Sequence, residues 1–553
     1  MSDAAKALAE LAAEFRDWRT LTQPDAGDDV PRIDRPAGWV ADWSADAVAE
    51  RRRVLAGFTE RHRAIDLTGQ PVDVHVDGRL LGSALARVHW ELDLLRGWQR
   101  NPGFYVDQAL LQIFNLLLMA PPVDRERVAE IIGNLRRVPV ILAQGRENLA
   151  GHAAAPFAEQ TLRGLSTAST DLEVAMAALA TALTAAGGPG SDTAELLAAA
   201  ADAARGLDAY RDWLGSQSFD GDAVVGPEAM RYLLHNVALL PYSADQLRDL
   251  AREEFNRAVA TEAILRQRVA RDSGRVPPKT LDEIIELQRA DETAVRRFYA
   301  DHNLLRLPDD LRRYTFAAMP AYLEPLSWLG VTHDIGSLER PTEDAVCYMN
   351  PPTEGMSYFA RAKAQDPRLG LTHQGVHALQ AAVSWRHPNP VRRHFYDSIP
   401  NEGIAFYNEE MLLQAGLLDD VPDSAVFIAN SMRLRALRVE VDIRLAVGTL
   451  TIDEAADYLA ETVPMNRATA WQEVVFFAGT PGQGLSYQAG KAQVLSLLAA
   501  CAHQSADFDL QEFHERLWLD GNVPVALLRW ELLGLDDHIG QADRLADGEP
   551  ASD

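Results

Sequence analysis

Only two cysteines, Cys347 and Cys501, occur in 553 residues, which excludes a disulfide framework and a cysteine metal cluster. Positive charge is scarce beside 80 acidic residues, and the formal net charge is −27. A surface of that sign opposes general binding to nucleic acid or anionic membrane, since both need basic groups. Long apolar runs are missing too. The most apolar stretch, Ala109 to Ala120, is interrupted by Gln112 and Asn115. It falls short of the roughly 20 apolar residues of a membrane span and is expected as a buried helix. Residues Met1 to Glu14 mix alanines with Asp3, Lys6 and Glu10 and lack the apolar core of a signal peptide. A cytoplasmic location is therefore the default expectation, with neither nucleic acid nor membrane as partner.

What remains is helical patterning over a length that calls for one large or two packed domains. Ser243-Ala-Asp-Gln246 and Thr451-Ile-Asp-Glu454 fit the capping box that starts a helix. The first predicts a long helix from Ser243 to about Asp272, stopped by Ser273-Gly274 and Pro277-Pro278. Gly187-Gly-Pro-Gly-Ser-Asp192 separates the alanine-rich stretches Val174–Ala186 and Thr193–Trp213, the pattern of a helical hairpin. Strand signals are confined to Ala345–Met349 and Met356–Ala362 around Asn350-Pro-Pro-Thr-Glu-Gly355, which predicts a hairpin or an edge strand with a loop. The expected organisation is a mainly α chain with a helical N-terminal region (1–330), a C-terminal region carrying the chemistry (331–540) and an acidic, flexible tail (541–553).

Four of the 14 histidines, His373, His377, His387 and His394, fall within 22 residues. His373 and His377 are four apart, so a helix places both imidazoles on one face, able to reach one ion. Glu402 follows 25 residues after His377 (402 − 377), at the head of a second helical segment, Asn401 to Met411. Two histidines and a glutamate form the set that suits catalytic zinc and leaves a position open. Glu409 shares the helical face of Glu402. It is either an acceptor for a ligand imidazole or an ordinary solvated carboxylate.

Gln374 occupies the position of the glutamate in a His-Glu-x-x-His metallohydrolase. That glutamate takes a proton from the attacking water and passes it to the leaving group; an amide can do neither. The residue leaves four readings open. The chain has lost peptidase activity, serves chemistry without that base, uses a substitute such as Glu409, Glu410, His387 or His394, or carries an engineered exchange.

Thr372-His-Gln-Gly-Val-His-Ala-Leu-Gln380, Asn401-Glu-Gly-Ile-Ala-Phe-Tyr-Asn-Glu409 and Thr480-Pro-Gly-Gln-Gly-Leu-Ser-Tyr-Gln-Ala-Gly-Lys491 stand in that order, followed by Phe508-Asp-Leu-Gln-Glu-Phe-His514 and Asn522-Val-Pro524. Together they resemble a bacterial family, the domain-of-unknown-function 885 group of helical, zinc-metallopeptidase-like proteins. The resemblance implies a large helical, zincin-like architecture with a small β-hairpin or sheet beside an active-site cleft. It further implies Zn²⁺ as cofactor, and a small peptide or an amide-containing small molecule as substrate. Family members commonly read His-Glu-x-x-Pro-Gly-His and then Glu-Gly-Trp-Ala. This chain lacks the Pro-Gly, has Gln374 for the glutamate and has Ile404 for the tryptophan.

In the third motif, Pro481-Gly482 forces a turn and Gln483 to Lys491 can start a helix, so that backbone donors, Gln483 and Tyr487 converge on a pocket. By analogy with zinc peptidases, Tyr487 would stabilise an oxyanion; otherwise it is a buried tyrosine with a satisfied hydroxyl. Lys491 either binds a substrate carboxylate or lies on the surface. Arg433, Arg435, Arg438 and Arg444 share a helix, Ser431–Val447, with Glu440 and Asp442. Positions 431, 434, 438 and 441 fall on one face. Arg438 either clamps a substrate carboxylate or belongs to a salt-bridged structural helix.

Overall fold

The computed structural model describes residues 2–27, 32–187, 190–267, 276–463 and 465–549. Helices dominate, and among the described residues none is long and apolar enough to cross a membrane. The apolar stretch is the helix Pro102–Leu118, with Leu110, Leu111, Ile113, Phe114, Leu117 and Leu118 all buried. The alanine-rich hairpin is present and longer than its composition suggests, with helices Ala155–Ala185 and Gly190–Ser216; Gly188 and Pro189 of its turn lie outside the described residues. Both expected capping boxes form, at Ser243 and at Thr451. Helix α1 (Ala244–Leu265) follows the first of them. That helix ends at Leu265 with Arg266 as its C-cap, short of the expected Asp272; the Ser273-Gly274 stop falls in residues 268–275, outside those described.

The hairpin expectation needs correcting. Strand β1 (Tyr314–Ala318) pairs in parallel with β3 (Ala345–Met349), and the short β2 (His333–Asp334) pairs antiparallel with β3's other edge. The second β-prone run instead enters a helix, Tyr358–Gln365, where the Ser357 side chain accepts from Ala360 N–H. The prolines of the intervening loop cannot donate to a ladder, and Tyr358 and Phe359 pack on Phe427 instead. The small sheet does border the histidine helix: a Cβ at Gly375 would lie 3.3 Å from the Tyr314 ring.

Around this sheet stand the helices that build the site: α2 (Gln374–Ser384), α3 (Ser398–Ala415), α4 (Pro422–Ala446), α5 (Gln483–Gln504) and α6 (Leu510–Asp520). Helix α3 packs along α5, and α1 along α4. The α3–α5 crossing is unusually close because both helices present glycine: a Cβ on Gly403 would lie 2.4 Å from the Gly490 carbonyl carbon. The start of the tail expected to be flexible (541–553) lies in a helix, Asp537–Ala546, held by buried Ile539, Ala542 and Leu545. An apolar stripe at positions 539, 542 and 545 has helical spacing, which its acidic composition obscures.

Candidate metal centre

His373 is the N-cap of α2 and makes no capping bond with its side chain; His377 lies one turn further on. Their rings stand 4.9 Å apart, nearly perpendicular. Glu402 enters from the start of the second turn of α3, where the Gly403–Gly490 contact brings that helix in. Its Oε2 lies 3.3 Å from His373 Nε2 and 3.4 Å from His377 Nε2. All three side chains are buried. Among the described residues they are the one group whose nitrogen and carboxylate donors converge as metal ligands would.

The same oxygen, Glu402 Oε2, is shielded from solvent and accepts no hydrogen bond, a costly state for a buried anion. Two ligands on one tetrahedral ion, each bonded at about 2.0–2.1 Å, stand about 3.3–3.4 Å apart. Glu402 Oε2 has that separation from each imidazole, so the residues present fit a divalent cation. Burial alone would raise the Glu402 carboxyl; His377 and His373 outweigh it and hold the group far below the usual carboxylate range.

Glu409 is buried beside His373 rather than solvated. Its Oε1 lies 3.0 Å from His373 Nδ1, which leaves Nε2 turned toward Glu402. Arg435 binds both Glu409 oxygens. Against the burial that would raise it, Arg435 and His373 keep the Glu409 carboxyl at about 2. Asn408 carries the support outward, donating to the Thr372 carbonyl at 2.9 Å and accepting from Tyr299 at 2.7 Å. The arginine at this site is thus Arg435, while Arg438 pairs with Glu473. The face of α4 toward the site runs through 431, 435, 438 and 442, with 435 and 442 in place of the 434 and 441 chosen on apolar content.

The third motif is built for packing more than for lining a pocket. Its free backbone donors go to buried Asp442: Gly482 N–H at 3.1 Å and Leu485 N–H at 2.9 Å. Gly484 lacks a Cβ that would sit 3.0 Å from Asp442 Cβ, and Gly482 has φ +96°. Burial nevertheless pushes the Asp442 carboxyl up to about 7. Gln483 is engaged with Ser398, whose hydroxyl donates to its Oε1 at 2.7 Å. Tyr487 does reach the centre, its ring stacked on His373 with centroids 6.1 Å apart.

Lys491 is no surface lysine. It is fully buried, and its ammonium sits between Glu254 of α1 and Glu410, the latter at 2.8 Å. Arg257 bonds the same two carboxylates. Spacing along the chain carried no sign of Glu254, because it arrives from α1. Although burial acts to raise Glu410, the Arg257 hydrogen bonds and the Lys491 charge hold it at about 2, below its ordinary 4.5. The unfolded chain therefore takes up this proton first, and the stability Glu410 contributes is lost as pH falls from about 4.5 toward 2. Urea midpoints of the native chain should drop more between pH 5 and pH 3 than those of Glu410→Gln; equal drops would remove Glu410 as the cause.

The remaining motifs hold the frame. His514 Nδ1 donates to the Leu304 carbonyl at 2.6 Å and its Nε2 accepts from the Tyr407 hydroxyl at 2.8 Å, a buried histidine with both nitrogens used. Before Asn522-Val-Pro524, Gly521 brings the end of α6 against α2, where a Cβ would meet Ser384 Cβ at 2.5 Å. Neither of two surface cavities reaches the metal ligands. One of about 460 Å³ lies between Leu305, Val383 and Trp518, the other of about 360 Å³ beside Phe298 and Arg368. The deep cleft expected at the site is not among them.

Two solved structures share the fold over nearly the whole chain. A candidate lipoprotein of unknown function from Shewanella oneidensis superposes with a TM-score of 0.67 at 16% identity, covering 96% of this chain and 100% of its own. A candidate lipoprotein from Colwellia psychrerythraea gives 0.69 at 15% identity, over 99% and 100%. At such identities the likeness concerns the fold alone. No curated protein matches the chain. Residues 25–532 match the family model described as bacterial protein of unknown function, DUF885, and the chain belongs to that family.

Proposed function

We propose that the chain is a zinc-binding protein of metallopeptidase type, in which His373, His377 and Glu402 hold the ion and Gln374 disables proton transfer during hydrolysis. The observation that supports it is Glu402 Oε2, a buried anion without a hydrogen bond, poised between two imidazole nitrogens. When bound, zinc supplies Lewis acidity toward a peptide or amide carbonyl. The chain's own residues orient the ligands: Glu409 fixes the His373 ring, and Arg435 balances the Glu409 charge.

Three of the four groups the sequence suggested in place of the missing glutamate are engaged elsewhere. Glu409 and Glu410 are committed to cations. His387 Nδ1 accepts from Asn389 N–H, while its Nε2 faces Asp520 at 3.3 Å. The fourth, His394, is exposed, whereas His373, His377 and Glu402 are buried. Binding of a small peptide or amide-containing molecule, with hydrolysis weak or absent, is the reading this favours over an efficient hydrolase. It names no compartment: the similar structures are of candidate lipoproteins, which lends no support to the cytoplasmic expectation.

Metal content of the purified chain, with a peptide-library assay of native protein and Gln374→Glu, tests the reading. Both forms should carry stoichiometric zinc, and the glutamate form should hydrolyse about 10²- to 10⁴-fold faster, the range a positioned acid-base contributes. Metal at background would remove the site. Equal hydrolysis by both forms would place a working base elsewhere.

A further inference from the structure

Beside the buried metal ligands stands an ion pair that is only partly satisfied. Arg438 of α4 bonds Glu473, which lies on the helix Arg467–Gly479. Their side chains are 18% and 15% exposed, against 2% to 7% for His373, His377 and Glu402. Arg438 Nε and Glu473 Oε2 are nevertheless shielded from solvent and have no hydrogen-bond partner. Charged groups with unpaired buried atoms are costly, so the pair is built to take further partners: an acceptor on Arg438 and a donor on Glu473.

Its position ties it to the metal centre. The Arg438 guanidinium lies 5.4 Å from the centroid of Tyr487, whose other neighbours include the His373 ring and Arg435. It is also near enough to Glu402 to be stabilised by that charge. The other cations here are more fully committed, Arg435 to both oxygens of Glu409 and Lys491 to two carboxylates.

We propose that Arg438 and Glu473 form the subsite for the C-terminal residue of a short peptide, its carboxylate on Arg438 and its amide N–H on Glu473. The terminal residue of a peptide carries an anionic acceptor and an N–H donor on one Cα, the complement of this pair. An internal residue or an amidated end has the donor without the anion. Recognition of the planar carboxylate by an arginine fork adds geometry to charge. The carbonyl preceding that residue would then lie toward the histidines. The inference rests on the metal-site reading above and narrows its ligand from any amide to peptides with a free C-terminus.

The test is calorimetric titration of the zinc-supplemented full chain with trialanine and with its C-terminal amide, alongside metal analysis of the same samples. The free acid should bind about tenfold or more tightly than the amide, and Arg438→Gln should abolish that preference without lowering the metal content. Arg438→Lys, which keeps the charge and loses the fork, should retain only part of it. Equal affinity of acid and amide for the native chain overturns the subsite, as does binding of neither. A preference that survives in folded Arg438→Gln, checked by circular dichroism, also overturns it. Loss of metal from the native chain is read separately and bears on the site reading, since the acid-against-amide comparison needs no variant.

Discussion

His377→Ala should purify with no divalent metal above background, while Glu409→Ala keeps the metal at reduced affinity. His377 supplies a donor whose Nε2 is 3.4 Å from Glu402 Oε2, and among the described residues the group holds no histidine besides it and His373. Glu409 touches the site only through His373 Nδ1. Loss of such an outer partner costs about 10- to 100-fold in metal affinity; loss of one of three protein ligands should cost well beyond that. Competition titration against a zinc chelator separates the two, with circular dichroism to confirm that both variants fold. Undiminished metal in both would refute the ligand set. A Glu409 variant as empty as the His377 variant would make Glu409 a ligand itself.

Gly490→Ala should be the most destabilising conservative change in the molecule, about 3 kcal/mol or more. A methyl there would lie 2.0 Å from the Ile399 carbonyl oxygen and 2.7 Å from Gly403 Cα. Alanine ordinarily gains about 1 kcal/mol over glycine inside a helix. Overpacking costs about 1–3 kcal/mol where side chains can yield; here the obstacle is backbone, so packing prevails over propensity. Because Glu402 adjoins Gly403, separating α3 from α5 should also impair metal binding. Gly133 is the control: it lies in the helix Arg125–Leu149 with nothing within 4 Å of its missing Cβ. Gly133→Ala should be neutral or stabilise by up to about 1 kcal/mol. Urea unfolding of both variants checks the contrast, and equal midpoints would show that the α3–α5 crossing relaxes freely.

The two kinds of glycine also explain what could be read along the chain. Helix starts were legible because a capping box is local: Ser243 with Gln246 and Thr451 with Glu454 satisfy each other within one turn. His373 and His377 were legible for the same reason, since four residues make one turn. The sheet was misread because the partner of Ala345–Met349 is the distant Tyr314–Ala318 rather than the next β-prone run. The buried pairing of Lys491 was in neither of its two sequence readings, because one of its two carboxylates comes from α1, more than 200 residues earlier. On α4 the expected face held Arg438 but not Arg435, which binds Glu409, as apolar periodicity does not reveal which charged side chain meets a buried glutamate.

By itself, then, the sequence determined the helical class, the two free cysteines and the grouping of His373, His377 and Glu402 with a glutamine at 374. Each of these depends on composition or on spacing within one or two turns. Tertiary structure alone decided that Glu409 orients His373 instead of facing solvent, that Asp442 occupies the backbone donors of the Pro481-Gly482 turn, and that Arg438 with Glu473 keeps unpaired atoms beside the centre. Those outcomes depend on which helices cross and how closely, and the crossing is set by glycine contacts between segments that no local pattern connects.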